Sequence, residues 1–209
     1  VYASIGIHPH EASKVGGSDC IQHIRECIKE QKVIALGEVG LDYYRNLSSH
    51  EDQKALLRTF LELYKETGLP LILHARDSFH DLFVFLRAEI GTSGINGVMH
   101  CFSGDEKILH EALSFGLYIS FTGPVTYKKN DTLRTLIVQV PDERLLLETD
   151  SPYLAPQSKR GKRNGGQWET RGVTNGEGTD GKNREVGGEG EGEKGRRKTK
   201  KAGGMGTRR

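Results

Sequence analysis

Four side chains able to bind a metal or move a proton each follow a short apolar run. Glu38 comes just after VIAL (33–36), His74 after LIL (71–73), His100 after GVM (97–99) and Asp150 after LLLET (145–149). Two imidazoles and two carboxylates make a mixed nitrogen and oxygen set. Such a set suits Mg²⁺, Mn²⁺ or Zn²⁺ and the activation of a water molecule. The recurrence carries the argument: a lone Glu after a strand is more often a cap or an ion-pair partner, whereas four independent strand ends agree here.

The elements that must position these residues follow from periodicity. Short apolar runs bounded by turn residues and alternating with longer amphipathic segments read as parallel strands in a strand-helix repeat. Strands are expected at 1–7, 33–36, 69–73, 98–100, 117–121 and 145–150. Between them, Ile21, Ile24 and Ile28 mark a helix over 18–31, and Ala55, Leu56, Phe60 and Leu63 mark one that Gly68 stops. Leu82, Phe83, Phe85 and Leu86 lie on a third helix, 105–115 forms a fourth and 132–140 a fifth, ended by Pro141. About six strand-helix units in strict alternation predict an α/β fold with a parallel sheet covered by helices. A TIM-type (β/α)₈ barrel is favoured over an open doubly wound sheet, because residues fit for chemistry recur after nearly every strand and no glycine-rich phosphate loop is present.

Composition sets the outer bounds. The 209 residues carry a formal net charge of +2, and the basic surplus lies almost wholly in the last stretch, so the overall field does not signal a nucleic-acid partner. Three cysteines, Cys20, Cys27 and Cys101, form no CxxC pair. An odd count without that pairing fits a reducing compartment, and a cytoplasmic location is expected. No apolar run is long enough to span a membrane and no leader is readable. Residues 1–164 are expected to form the barrel domain. Residues 165–209, rich in Gly, Glu, Lys and Arg, are expected to be a disordered tail whose basic end, 194–201, could meet an anionic partner.

Five motifs occur in order with barrel-like spacing: His8-Pro9-His10, GEVGLD (37–42), LILHARD (71–77), MHCFSG (99–104) and LLLETDSPYLAP (145–156). In these the chain closely resembles the TatD family of metal-dependent deoxyribonucleases, among the amidohydrolase-like barrels. The resemblance implies a hydrolase that cleaves DNA phosphodiesters with divalent ions, Mg²⁺ or Mn²⁺ foremost and Zn²⁺ next, from a 3′ end. It implies metal ligation by Glu38, His74, His100 and Asp150, with Asp150 also accepting the proton of the attacking water. It further implies that the chain holds about six of the eight units, the family's opening His-x-His strand lying outside it. Glu148 shares a strand face with Asp150 and is placed in the support or substrate-binding shell. His8 is expected to donate a hydrogen bond to a phosphate oxygen, and Arg76 to pair with one. Asp42 is expected to tie down its loop, and Cys101 to pack. Tyr43 and Tyr44 either stack on unpaired bases or fill core and surface. DNA is the expected partner, with no membrane and no protein partner. Two other readings stand beside this one: a related barrel hydrolase acting on small esters or D-aminoacyl bonds, since fold alone does not fix substrate, and an inactive remnant that binds nucleic acid through its tail.

Overall fold

A computed structural model of the chain describes residues 1–15, 18–91 and 93–165. Six strands form one sheet: β1 (Ala3–Ile5), β2 (Val33–Asp42), β3 (Leu71–Arg76), β4 (Gly97–Met99), β5 (Tyr118–Phe121) and β6 (Leu145–Leu147). Their order in the sheet is their order in the chain, and every neighbouring pair is parallel. Helices α1 (Ser18–Cys27), α2 (His50–Thr67), α3 (Phe79–Ile90), α4 (Glu106–Ser114) and α5 (Asp131–Ile137) fill the crossovers. An open doubly wound sheet reverses its strand order at a switch point. This sheet never reverses, so right-handed crossovers put all the helices on one side, as in a (β/α) barrel.

Local chemistry sets the element ends. Ser49 caps α2, its hydroxyl accepting from the Asp52 amide at 3.1 Å, and Gly68 ends the helix in the left-handed region at φ 70°. Asp105 caps α4 through the Ile108 amide at 2.9 Å. The inner faces of both layers meet in one core, where Leu36, Leu41, Leu73, Met99 and Ile119 of the sheet are fully buried along with Phe60, Leu61, Leu82, Phe83 and Leu109 of the helices.

Several boundaries differ from the sequence expectation. The first strand stops at Ile5, and a 3₁₀ helix follows at Pro9–Lys14, started by the His8 ring accepting from the His10 amide. Strand β2 continues six residues past Leu36, so Glu38 lies within a strand and not just beyond one. Its extension depends on Gly40 at φ 148°, where a Cβ would stand 2.0 Å from the His74 carbonyl oxygen. Strand β4 ends one residue before His100 and β6 three before Asp150, and each end is followed by a left-handed residue, Cys101 (φ 46°) and Asp150 (φ 50°). Helix α1 is shorter than expected because turns occupy the residues after Cys27, and α5 ends at Ile137. The expected tail, apart from Gly165, lies outside the described residues. Among the described residues no helix is long and apolar enough to cross a membrane.

Candidate metal centre

Parallel strands of a barrel deliver their C-terminal ends to one rim. There β2, β3, β4 and the segment after β6 place the four anticipated ligands in a chain of contacts running from His74 through Glu38 and His100 to Asp150. His74 Nδ1 lies 2.7 Å from Glu38 Oε1 and His100 Nε2 3.6 Å, while Asp150 Oδ1 lies 3.5 Å from that same His100 nitrogen. The far nitrogen of each ring is held by a second carboxylate: His74 Nε2 by Asp42 Oδ2 at 3.0 Å, and His100 Nδ1 by Glu148 Oε2 at 2.7 Å. A carboxylate behind an imidazole fixes its tautomer and orientation and raises its basicity, which is the support that metal-binding histidines use. Oriented imidazoles beside the carboxylates of Glu38 and Asp150 are donor types that suit a divalent cation, and of the four anticipated ligands Glu38 and His74 fall in a cluster whose ligand-type atoms all lie within 4.8 Å of one another.

The electrostatics match that layout. Burial alone would lower the His100 imidazole, but Asp150, Glu148 and the Glu38 charge outweigh it and hold the group up to about 10. Burial would raise the Glu38 carboxyl, yet the hydrogen bond to His74 and the charges of His100 and His74 bring it below its ordinary value. A cation bound here would compete with the His100 proton and would meet the Glu38 carboxylate in its ionised form.

His8 belongs to the same rim but plays a different part. Ligand-type atoms of His8, Glu38 and His74 lie within 4.8 Å of one another, as do those of His8, His10 and Asp42. The hydrogen bonding argues against His8 as a ligand in either group. Its Nδ1 accepts from the His10 amide at 3.1 Å, and burial together with His74 lowers the ring to about 4, so it is neutral at pH 7. A neutral imidazole that accepts on one nitrogen carries its proton on the other. His8 Nε2–H is thus a fixed donor, 3.8 Å from Glu38 Oε1. His10 Nε2 lies 3.0 Å from Asp42 Oδ2 but has no hydrogen-bond partner among the described residues.

Arg76 sits at the end of β3 with its guanidinium 3.7 Å from the centroid of the Tyr44 ring. Glu148 faces inward to His100 and the Cys101 amide, which it accepts at 2.6 Å. Asp42 does tie down its loop, accepting the Tyr44 and Arg45 amides on Oδ1 at 3.0 and 3.1 Å, but its second oxygen also orients His74. Sequence reasoning missed Gln53. Fully buried on α2, it grips Asp42 from both sides: its Oε1 accepts the Asp42 amide at 2.7 Å and its Nε2 donates to the Asp42 and Ser48 carbonyls at 3.0 Å. A visible signal existed, because Gln53 is a polar residue on the apolar stripe that carries Leu56, Leu57 and Phe60.

A strand-ordered α/β barrel with this rim defines a class of metal-dependent hydrolase folds, and comparison with known proteins makes the class specific. The chain belongs to the family described as TatD related DNase, whose model matches residues 1–171. It is 40% identical over 164 residues to an uncharacterized metal-dependent hydrolase, YabD, of Bacillus subtilis, covering 78% of this chain and 64% of that protein. It is 38% identical over 157 residues to the 3′-5′ ssDNA/RNA exonuclease TatD of Klebsiella pneumoniae, covering 75% and 59%. The crystal structure of the TatD homolog YJJV from Escherichia coli superposes with a TM-score of 0.69 at 32% identity, over 78% of this chain and 62% of that one. The chain thus spans about three fifths of the length of these relatives.

Proposed function

We propose that this chain carries the metal-binding rim of a hydrolase of the TatD type that cleaves DNA phosphodiester bonds, releasing nucleotides from a 3′ end. The observation that supports this most is the convergence of His74 Nδ1 and His100 Nε2 on Glu38 Oε1, each ring held from behind by its own carboxylate. The relative named an exonuclease, 38% identical, directs the reading toward nucleic acid.

Glu38, His74, His100 and Asp150 would hold the cation, Mg²⁺ or Mn²⁺, with two imidazoles and two carboxylates. A divalent ion bound there supplies a lowered pKa for water and charge neutralisation on the scissile phosphate. Asp42 and Glu148 act as positioning residues, keeping the two rings aimed inward. Asp150, left-handed in its backbone, presents a carboxylate oxygen beside His100 and accepts the proton of the attacking water. The fixed His8 Nε2–H donates to a non-bridging phosphate oxygen. Its neutrality matters, since an imidazolium would compete with the cation at Glu38.

Asp150→Asn removes the proton acceptor while keeping size and shape. The expected outcome is loss of Mn²⁺-dependent nucleotide release from a single-stranded oligonucleotide, with the circular dichroism spectrum and cooperative melt retained. Nucleotide release at the wild-type rate would contradict the role of Asp150.

A further inference from the structure

The metal rim accounts for the phosphate but leaves an aromatic and cationic pair beside it unused. Arg76 lies two residues past the ligand His74, and its guanidinium rests on the ring of Tyr44, 3.7 Å from the centroid. With the guanidinium in place, Tyr44 is still 56% exposed, so ring surface remains open to a second planar group. We propose that Tyr44 and Arg76 form a platform on which an unpaired nucleobase of the substrate stacks, registering the strand so that a backbone phosphate reaches the metal rim. The inference rests on the nuclease reading and adds to it the two residues that register the strand.

The pair is anchored to the metal centre by short links. The Tyr44 amide is held by Asp42 Oδ1, whose partner oxygen holds His74 Nε2. The Arg76 carbonyl accepts from the Tyr43 amide at 2.9 Å, and its own amide donates to Ser78 Oγ at 3.1 Å. Ser78 Oγ in turn donates to the Leu41 carbonyl at 2.7 Å. Both side chains therefore leave backbone that is pinned to the residues orienting a metal ligand, and a base resting on them lies at a set distance from that ligand. Neighbouring Tyr43 is not available for this, being stacked on His50 and bonded through its hydroxyl to Asp81. Stacking on an aromatic face tolerates any base, and a guanidinium adds a cation–π component and donors for a phosphate. A base inside a duplex has both faces covered by its stacked neighbours, so the site prefers a strand whose bases are free to unstack.

The test is fluorescence anisotropy of the full chain with labelled single-stranded oligonucleotides carrying phosphorothioate linkages, in Mn²⁺, with one abasic position moved along the strand. Tyr44→Ala is expected to weaken binding roughly 5- to 150-fold, the range for removal of a base-stacking aromatic, while Tyr44→Phe binds as wild type. One abasic position should weaken wild-type binding and leave Tyr44→Ala unaffected, which a purely structural role for the ring would not produce. The Mn²⁺-induced rise in melting temperature should be the same in all three proteins. Wild-type binding unchanged by Tyr44→Ala overturns the platform and leaves the nuclease reading intact. Failure of the wild-type chain to bind any oligonucleotide overturns both.

Discussion

Two carboxylates address His100 from opposite sides, Glu148 bonding Nδ1 at 2.7 Å and Asp150 facing Nε2 at 3.5 Å. Their effect is to hold the imidazolium up to about 10, against burial. In a group raised above its unfolded value of roughly 6.5, the protonated form is the one the fold favours. That stabilisation is complete below about pH 6.5 and is lost as pH rises through about 10. The metal-free protein should therefore lose stability over this window. Mn²⁺, which competes with the same proton, should bind more tightly across it, by up to about tenfold per pH unit. Calorimetric titrations at several pH values in buffers of different ionisation enthalpy measure both the affinity and the released proton. Glu148→Gln removes the charge behind the ring, and a loss of roughly 10- to 100-fold in metal affinity is expected. Equal affinity in the variant would show that Glu148 merely packs.

At the scale of elements, the site depends on how β2 is held against β3 and α2. Gln53 supplies three hydrogen bonds to the backbone at Asp42 and Ser48. Gln53→Leu keeps the apolar stripe of α2 but strands those buried groups, and a loss of about 2–5 kcal/mol in unfolding free energy is expected from chemical denaturation. Little change would mean that water replaces the amide at no cost. The same region shows what a sequence can and cannot disclose. His74 and His100 were legible because an apolar run ending in histidine is a one-dimensional signal. Glu38 was legible as a candidate site residue but not as one inside a ten-residue strand, because the extension of β2 requires the Gly40 backbone to pass the His74 carbonyl, a tertiary contact. Asp42 read as a loop tether. Its second oxygen lies on His74, 32 positions away, and only folding makes that visible. The shortened β4 and β6 are likewise followed by left-handed Cys101 and Asp150, residues whose types do not announce that conformation.

For the whole molecule, alternation implied a parallel sheet covered by helices, and the recurrence of chemistry-bearing residues after nearly every strand favoured barrel order over an open sheet; the strands are indeed sequential neighbours, all parallel. Among the described residues β1 and β6 each pair on one side only, and large apolar side chains are exposed there, Val1 and Tyr2 beside β1 and Leu146 and Leu147 on β6. Unpaired strand edges with apolar surface favour association, so metal-dependent stability of this chain is best measured at low protein concentration. The direct test of the central claim, that Glu38, His74, His100 and Asp150 form a metal centre on this fold, is a thermal melt with and without Mn²⁺, with Glu38→Ala as control. A cation at roughly 100 times its dissociation constant adds about 2.7 kcal/mol, or about 5–10 °C for a domain of this size. The account predicts one cooperative transition raised by that amount in the wild-type chain and unmoved in Glu38→Ala. A wild-type transition indifferent to saturating Mn²⁺ would contradict it.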